Sequence, residues 1–377
     1  MAAPRLEIDL DKIYHNAHAL VSRLAERGIS VTGVTKAALG SVEIANTLLQ
    51  AGVISLGDSR IENIKAMRLA TENPLINNAM FLLIRSPMLS QIAQVIQYAD
   101  ISCNTEVEVI KKLSDEAHKQ GRTHQILLMV ELGDLREGIL PENLIDTVRK
   151  VLSLPNILLK GIGTNLACRS GVAPDATNMA VLSELAELIE TTFDLTLDIV
   201  SGGNSANIQW ALNDTQTDTG RVNNLRLGEA ILLGCEPLQR QAIDGLYTDA
   251  FTLVTEVIES KSKPSQPTGT IEQSAFGETT AVTDRGIVAQ AILAIGIQDI
   301  DPSGLQAPAG IEVLGASSDH LIIEPAENEL LVGDEVCFQL NYSALVRAMT
   351  SPFVSKTYTS RQDTPLTYSF NKNGLQP

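Results

Sequence analysis

Apolar and polar positions follow two different rhythms along this chain. Between residues 31 and 227, short apolar strands alternate with helical stretches carrying one apolar face. Beyond about residue 240 the helical period disappears and short alternating segments take over. Leu6-Glu7-Ile8-Asp9-Leu10 reads as an opening half-buried strand. Asp11 then caps a helix to about Arg27, with Ile13, Ala17, Leu20, Val21 and Leu24 on one face. Strands are predicted at 31–36, 53–56, 81–84, 101–104, 125–132, 158–163, 197–200 and 225–227, with helices at 42–50, 61–71, 89–98, 105–120, 142–152 and 176–192. Eight strands alternating with helices through short loops predict an N-terminal (β/α)8 TIM barrel, an α/β fold. The second rhythm predicts a mainly β domain with strands at 251–258, 286–294, 311–314, 320–324 and 335–340, and one short helix or turn at 341–349. The expected division is 1–240 for the barrel and 241–377 for the β domain.

Composition narrows the chemistry. A 377-residue chain with 44% hydrophobic and 19% charged residues is globular and long enough for two domains. A net charge of −17 argues against nucleic acid and anionic membranes as partners. No apolar run approaches bilayer length and the opening residues hold no apolar signal core, so a cytoplasmic location is expected. Cys103, Cys168, Cys235 and Cys337 are widely spaced, and the five histidines lack ligand spacing, so neither a disulfide frame nor a metal site is expected.

In such barrels the chemistry sits on the loops that follow the strands, and several of these loops carry polar residues. Val31-Thr32-Gly33-Val34-Thr35 is β-branched or glycine throughout and ends at Lys36. A lysine there either carries its ammonium out to solvent along the strand end or joins an aldehyde cofactor as an imine. Ser201-Gly202-Gly203-Asn204-Ser205, after the seventh strand, is either a tight turn or a cradle whose N–H groups face a phosphate. Arg226-Leu227-Gly228-Glu229 follows the eighth strand, and the last two loops are this fold's usual phosphate grip. A strand-end lysine in the same barrel as that grip points to pyridoxal 5′-phosphate (PLP).

The motifs Glu7-Ile8-Asp9-Leu10, Gly33-Val34-Thr35-Lys36, Gly57-Asp58-Ser59-Arg60-Ile61-Glu62-Asn63, Gly133-Asp134-Leu135-Arg136-Glu137-Gly138, Gly202-Gly203-Asn204-Ser205, Leu225-Arg226-Leu227-Gly228-Glu229 and Gly315-Ala316-Ser317-Ser318-Asp319-His320 occur in this order. Together they resemble the alanine racemase-type, fold-type III PLP enzymes, and most closely their alanine/ornithine racemase branch. The resemblance implies that Lys36 bonds PLP covalently and serves as acid/base on one face of the substrate α-carbon. It implies that Ser205 and the N–H groups of Gly228 and Glu229 grip the phosphate, joined by Tyr358. It further implies Arg136 near the phenolic oxygen and Arg226 at the pyridine nitrogen. An arginine cannot take the ring's proton, so the ring stays neutral, which suits racemisation over transamination.

The sequence also departs from that family. Ile297 stands where the family has its opposite-face tyrosine, Gly40 where a second tyrosine follows the lysine, Met129 at the carbamylated lysine, and Asn165 at the histidine beside the pyridine. Asn165 is retained as a cofactor-lining residue. His320 and Asp319 are the candidate replacement base, a turn histidine being the other reading. Ile322 stands where related aldolases place a second metal ligand, so a metal is not expected. The expected activity is PLP-dependent racemisation of an amino acid, favouring a basic one such as ornithine or lysine and allowing alanine. Asp299, Glu137 or Asp58 would receive the distal ammonium. The competing readings are a PLP-binding regulatory protein and a fold-type III decarboxylase. The β domain argues against the first and Arg226 against the second. A homodimer with shared active sites is implied by the same resemblance.

Overall fold

The computed structural model describes residues 3–70, 73–213, 218–274, 276–277, 283–326 and 330–360. Thr71, the last predicted residue of one helix, and the closing residues 361–377 lie outside them.

The chain opens with β1 (Arg5–Asp9), whose Leu6 and Ile8 are fully buried, and runs through the helix Leu10–Ala25 into a closed parallel barrel. Its strands are β2 (Ser30–Val34), β3 (Ser55–Asp58), β4 (Met80–Leu83), β5 (Ile101–Asn104), β6 (His124–Met129), β7 (Ile157–Gly163), β8 (Ile199–Ser201) and β9 (Asn224–Leu227). The predicted (β/α)8 barrel is present. Asp9, two residues before the predicted cap, accepts from the Lys12 N–H and starts the first helix.

Two apolar layers and one polar layer hold the barrel. Phe81, Leu83, Ile126 and Leu128 face outward into a continuous core with the helices. Leu82, Ile101, Cys103, Leu127 and Met129, offset by one residue, form a separate apolar cluster across β4, β5 and β6. This is the alternation a barrel strand requires. The opposite half carries buried Thr32, Ser55, Ser201, Asn224 and Arg226 instead.

The second sheet holds β10 (Phe251–Pro264), β11 (Ile287–Leu293), β12 (Leu305–Gln306), β13 (Ile311–Ala316), β14 (Leu321–Pro325), β15 (Glu335–Leu340) and β16 (Ser355–Thr359), and also β1. β1 pairs antiparallel with β10, Leu6 opposite Leu253, and parallel with β16, Ile8 opposite Tyr358. The first strand therefore belongs to the β sheet although it precedes the barrel in sequence. β10 outruns its apolar pattern because the polar stretch from Glu259 to Lys263 pairs with β11 beyond a register shift. Residues 341–349, left between helix and turn, are helical over Tyr342–Thr350, and Asn341 accepts from the Ala344 N–H as its cap.

Gly161 marks the tightest backbone approach. A Cβ there would sit 1.8 Å from the Ile199 carbonyl oxygen, inside the β7–β8 ladder. Gly161→Ala is expected to destabilise the barrel by about 3 kcal/mol, the upper range for overpacking. Chemical denaturation followed by circular dichroism checks this, and an unchanged midpoint would contradict it.

Candidate active site

A cavity of about 740 Å³ opens at the end of the barrel where the strands finish, within the usual size range of small-molecule sites. Lys36 enters it from a 3-10 turn, Lys36–Ala38, directly after β2. Thr35 anchors that turn: its hydroxyl donates to Asp58 Oδ2 at 2.8 Å, and Asp58 Oδ1 accepts from the Arg60 N–H and Asn63 Nδ2. Asp58 is buried, and burial pushes its carboxyl up against the pull of these donors. It is a structural brace, which removes it from the candidates for a substrate ammonium. Gly40 closes the turn at φ +66°, where a Cβ would meet Asn63 Cβ at 2.8 Å. No tyrosine fits there.

Arg226 projects from β9 into the cavity yet is only 4% exposed. It donates through Nη1 to the Ser201 hydroxyl and through Nη2 to the Thr164 carbonyl at 2.7 Å. Among the described residues no carboxylate lies within ion-pair distance of it, and burial pushes its pKa down. A buried cation held only by neutral acceptors is costly unless something in the cavity accepts its remaining N–H groups.

The turns after β8 and β9 meet beside it. Gly203 adopts φ +141°, where a Cβ would strike Asn207 Oδ1 at 2.3 Å, and the Ser205 hydroxyl accepts from the N–H groups of Gly228 (3.4 Å) and Ala230 (3.1 Å). Ser205, Gly228 and Glu229 all line the cavity. Asn204 Nδ2 donates to Asn165 Oδ1 at 3.1 Å, so Asn165 is fixed at the wall. Lys36, Arg226, Arg136 and Arg240 around these N–H-rich turns form a donor set suited to an anionic, phosphate-bearing group such as PLP.

Arg136 and Glu137 form an ion pair on the facing wall. Their loop is tied down by buried Asp134, which accepts from the N–H groups of Arg169 (2.9 Å) and Ser170 (3.0 Å). Burial raises the Asp134 carboxyl, but these N–H donors outweigh it and hold it below the usual range. Of the three acidic candidates for a distal ammonium, only Glu137 lines the cavity. Asp299 is buried elsewhere, accepting from the Ser351 hydroxyl at 2.6 Å.

The tyrosine in the cavity is Tyr342, not Tyr358. Tyr342 begins a helix of the second domain, and Lys36 Nζ lies 5.9 Å from its ring centroid. Tyr358 is committed to β16, opposite Ile8, with its hydroxyl toward Ser41. The Asn-Tyr-Ser start of the helix at 341–343 marks a cap in the sequence, but not that Tyr342 enters a cavity. Burial, reinforced by Glu229, raises the Tyr342 phenol, so its hydroxyl keeps its proton.

Asp319 and His320 do not line this chain's cavity. They form the turn between β13 and β14, paired through His320 Nδ1 and Asp319 Oδ1 at 2.8 Å. Ile297 packs against the same turn, its N–H donating to the Ser317 carbonyl and that of Gln298 to the Ser318 carbonyl. Gly296 permits this contact, since a Cβ there would meet the Asp319 nitrogen at 2.3 Å. Among the described residues no cluster of metal-ligating side chains and no membrane-length apolar helix occurs.

A strand-end lysine, a buried arginine floor and a pair of N–H-rich turns lie together at the mouth of the eight-stranded barrel. The chain belongs to the alanine racemase family: the family described as "Alanine racemase, N-terminal domain" matches residues 8–236. It is 39% identical to the lysine racemase of Thermotoga maritima over 361 residues, covering 95% of this chain and 99% of that one. It is 38% identical to the ornithine racemase of Acetoanaerobium sticklandii, covering 94% and 99%. The fold matches the alanine racemase of Bartonella henselae, solved with covalently bound pyridoxal phosphate, at a TM-score of 0.71 with 18% identity over 95% and 100% of the two chains.

Burial pushes the Glu229 carboxyl up from 4.5 to about 7, with Arg240 and Lys36 pulling the other way. A carboxyl whose pKa is raised on folding stabilises the native state below the unfolded value and loses that contribution as pH rises through the folded one. The cofactor-free protein should therefore lose stability between about pH 4.5 and 7, a loss that Glu229→Gln reduces. Urea denaturation across that range checks it; identical pH profiles for the two proteins would contradict it.

Proposed function

We propose that this protein holds PLP on Lys36 at the barrel mouth and interconverts the L and D enantiomers of a basic amino acid, with ornithine and lysine as substrates. One observation carries the reading: Lys36, Arg226 and the Ser205–Gly228 turns converge on one cavity. The two near-full-length relatives named for lysine and ornithine favour a basic substrate. Bound there, PLP would supply an electron sink for the charge left when the α-proton departs.

The chain's own residues divide the remaining work. Ser205 and the N–H groups of Gly228 and Glu229 hold the phosphate, with Tyr342 beside Lys36 on the same wall. Arg226, a permanent donor, would hold the ring nitrogen of bound PLP and keep it unprotonated. Arg136 and Asn165 line the same cavity and would hold the phenolic oxygen and the ring. Lys36 Nζ takes or returns the α-proton on one face. Glu229 and Glu137, the latter already paired with Arg136, are the carboxylates that line the cavity for a distal ammonium.

The opposite face needs a second acid/base, and Ile297 cannot serve. We assign it to His320 of the partner subunit, oriented by Asp319 of the partner subunit. The carboxylate–imidazole pair supports this, as does its contact with the segment around Ile297. On this reading the barrel, within 1–240, binds the cofactor, the β domain of 241–377, which β1 joins, completes the site of a partner, and the working unit is a homodimer.

Circular dichroism of L-ornithine or L-lysine with the PLP-loaded protein should decay to zero rotation, and Lys36→Ala should abolish the decay. Unchanged rotation for every amino acid would overturn the reading. Mixed dimers of Lys36→Ala and His320→Ala chains should regain activity that neither variant has alone. Failure to regain it, with each variant dimeric, would remove His320 from the role.

A further inference from the structure

Arg226 rests on an unusual support. Its Nη1 donates to the Ser201 hydroxyl, and Ser201 donates in turn to Asn224 Oδ1 at 2.9 Å. The Asn224 amide nitrogen donates onward to Thr32 Oγ1 and to Ser30 Oγ, each at 3.2 Å, and Thr32 meets the Ser55 hydroxyl at 2.8 Å. Ser201, Asn224, Thr32 and Ser55 are all buried inside the barrel, across β8, β9, β2 and β3. The cavity reading of the active site uses Arg226 but none of these four.

The direction of the chain is forced. A guanidinium has donors only, so Ser201 must accept from it and can spend its single proton only on Asn224. Asn224 must then present its oxygen to Ser201 and its nitrogen to the hydroxyls of Thr32 and Ser30. From Arg226 through Ser201 and Asn224 to Thr32 only one arrangement satisfies every group, whichever of Thr32 and Ser55 donates to the other, and it leaves Arg226 one orientation. A carboxylate at Ser201 would also hold the guanidinium, but it would neutralise the charge that the cavity needs.

We propose that Ser201 and Asn224 are positioning residues for Arg226: this neutral, one-way relay fixes the guanidinium against the cofactor's ring nitrogen while leaving its charge uncompensated. The inference rests on the PLP reading above. Removing the Ser201 hydroxyl frees one edge of the guanidinium and leaves Asn224 Oδ1 without its donor, so cofactor affinity and the cofactor's electronic state change together.

The test is titration of cofactor-free protein with PLP, followed by absorbance, beside steady-state kinetics. Ser201→Ala should weaken PLP binding about ten-fold or more, the range for losing a hydrogen bond to a charged group. It should also shift the pH dependence of the bound cofactor's absorbance and lower kcat with the amino-acid KM little changed. Ser201→Thr, which keeps the hydroxyl, should restore all three. Where Ser201→Ala does not fold, near-isosteric Ser201→Cys, a weak acceptor, should give the same changes at smaller size. Wild-type protein that binds PLP, with folded Ala and Cys variants matching it in affinity, absorbance and kcat, overturns the relay alone. Wild-type protein that binds no PLP overturns the parent reading with it.

Discussion

A positive charge buried without a counter-ion among the described residues organises this barrel. Arg226 is almost fully removed from water, and its protein partners are a hydroxyl and a carbonyl. Desolvating a guanidinium on those terms is unfavourable unless its remaining donors meet an acceptor in the cavity. The polar half of the barrel interior is arranged around this demand, and the apolar cluster of β4, β5 and β6 fills the other half. Cofactor binding and barrel packing are therefore one problem in this protein. A ligand accepting from Arg226 relieves a cost already present in the empty fold, a form of preorganisation.

The second domain is built into the same site. β1 leads the chain through the β sheet before the barrel begins, so barrel and sheet share a strand-to-helix junction. The helix Tyr342–Thr350 then brings Tyr342 to the wall beside Lys36. The β13–β14 turn carries Asp319 and His320 away from this chain's own cavity, half exposed and already paired. A domain that closes one wall of its own site while offering an acid/base pair outward suits a dimer with shared sites.

Much of this was legible in sequence because it depends on local pattern. The β-branched strand that leads to Lys36, the short strand that carries Arg226, and the glycines at the turn after β8 mark the barrel mouth by period and punctuation. Tyr342 was not legible, because a helix cap looks the same whether or not the next side chain enters a cavity. Tyr358 was misassigned to the phosphate because nothing local reveals that a polar strand, Ser355–Thr359, pairs with the first strand of the chain. The resemblance assigns Glu229 to the phosphate through its backbone N–H; its side chain matters because the fold buries it near Lys36 and Arg240. Asp58 looked like a free acid and is a brace, since its partners Thr35 and Asn63 come from separate elements.

The central claim is that Lys36 and a group from the partner exchange the α-proton of a basic amino acid on opposite faces. Proton NMR of L-ornithine or L-lysine turned over in deuterium oxide by the PLP-loaded protein tests it most directly. The account predicts that the D enantiomer forms with deuterium at its α-carbon, while recovered L enantiomer retains far more protium early in the reaction. Equal early labelling of both enantiomers would contradict the two-sided exchange, and no α-exchange in either amino acid would contradict the racemase itself.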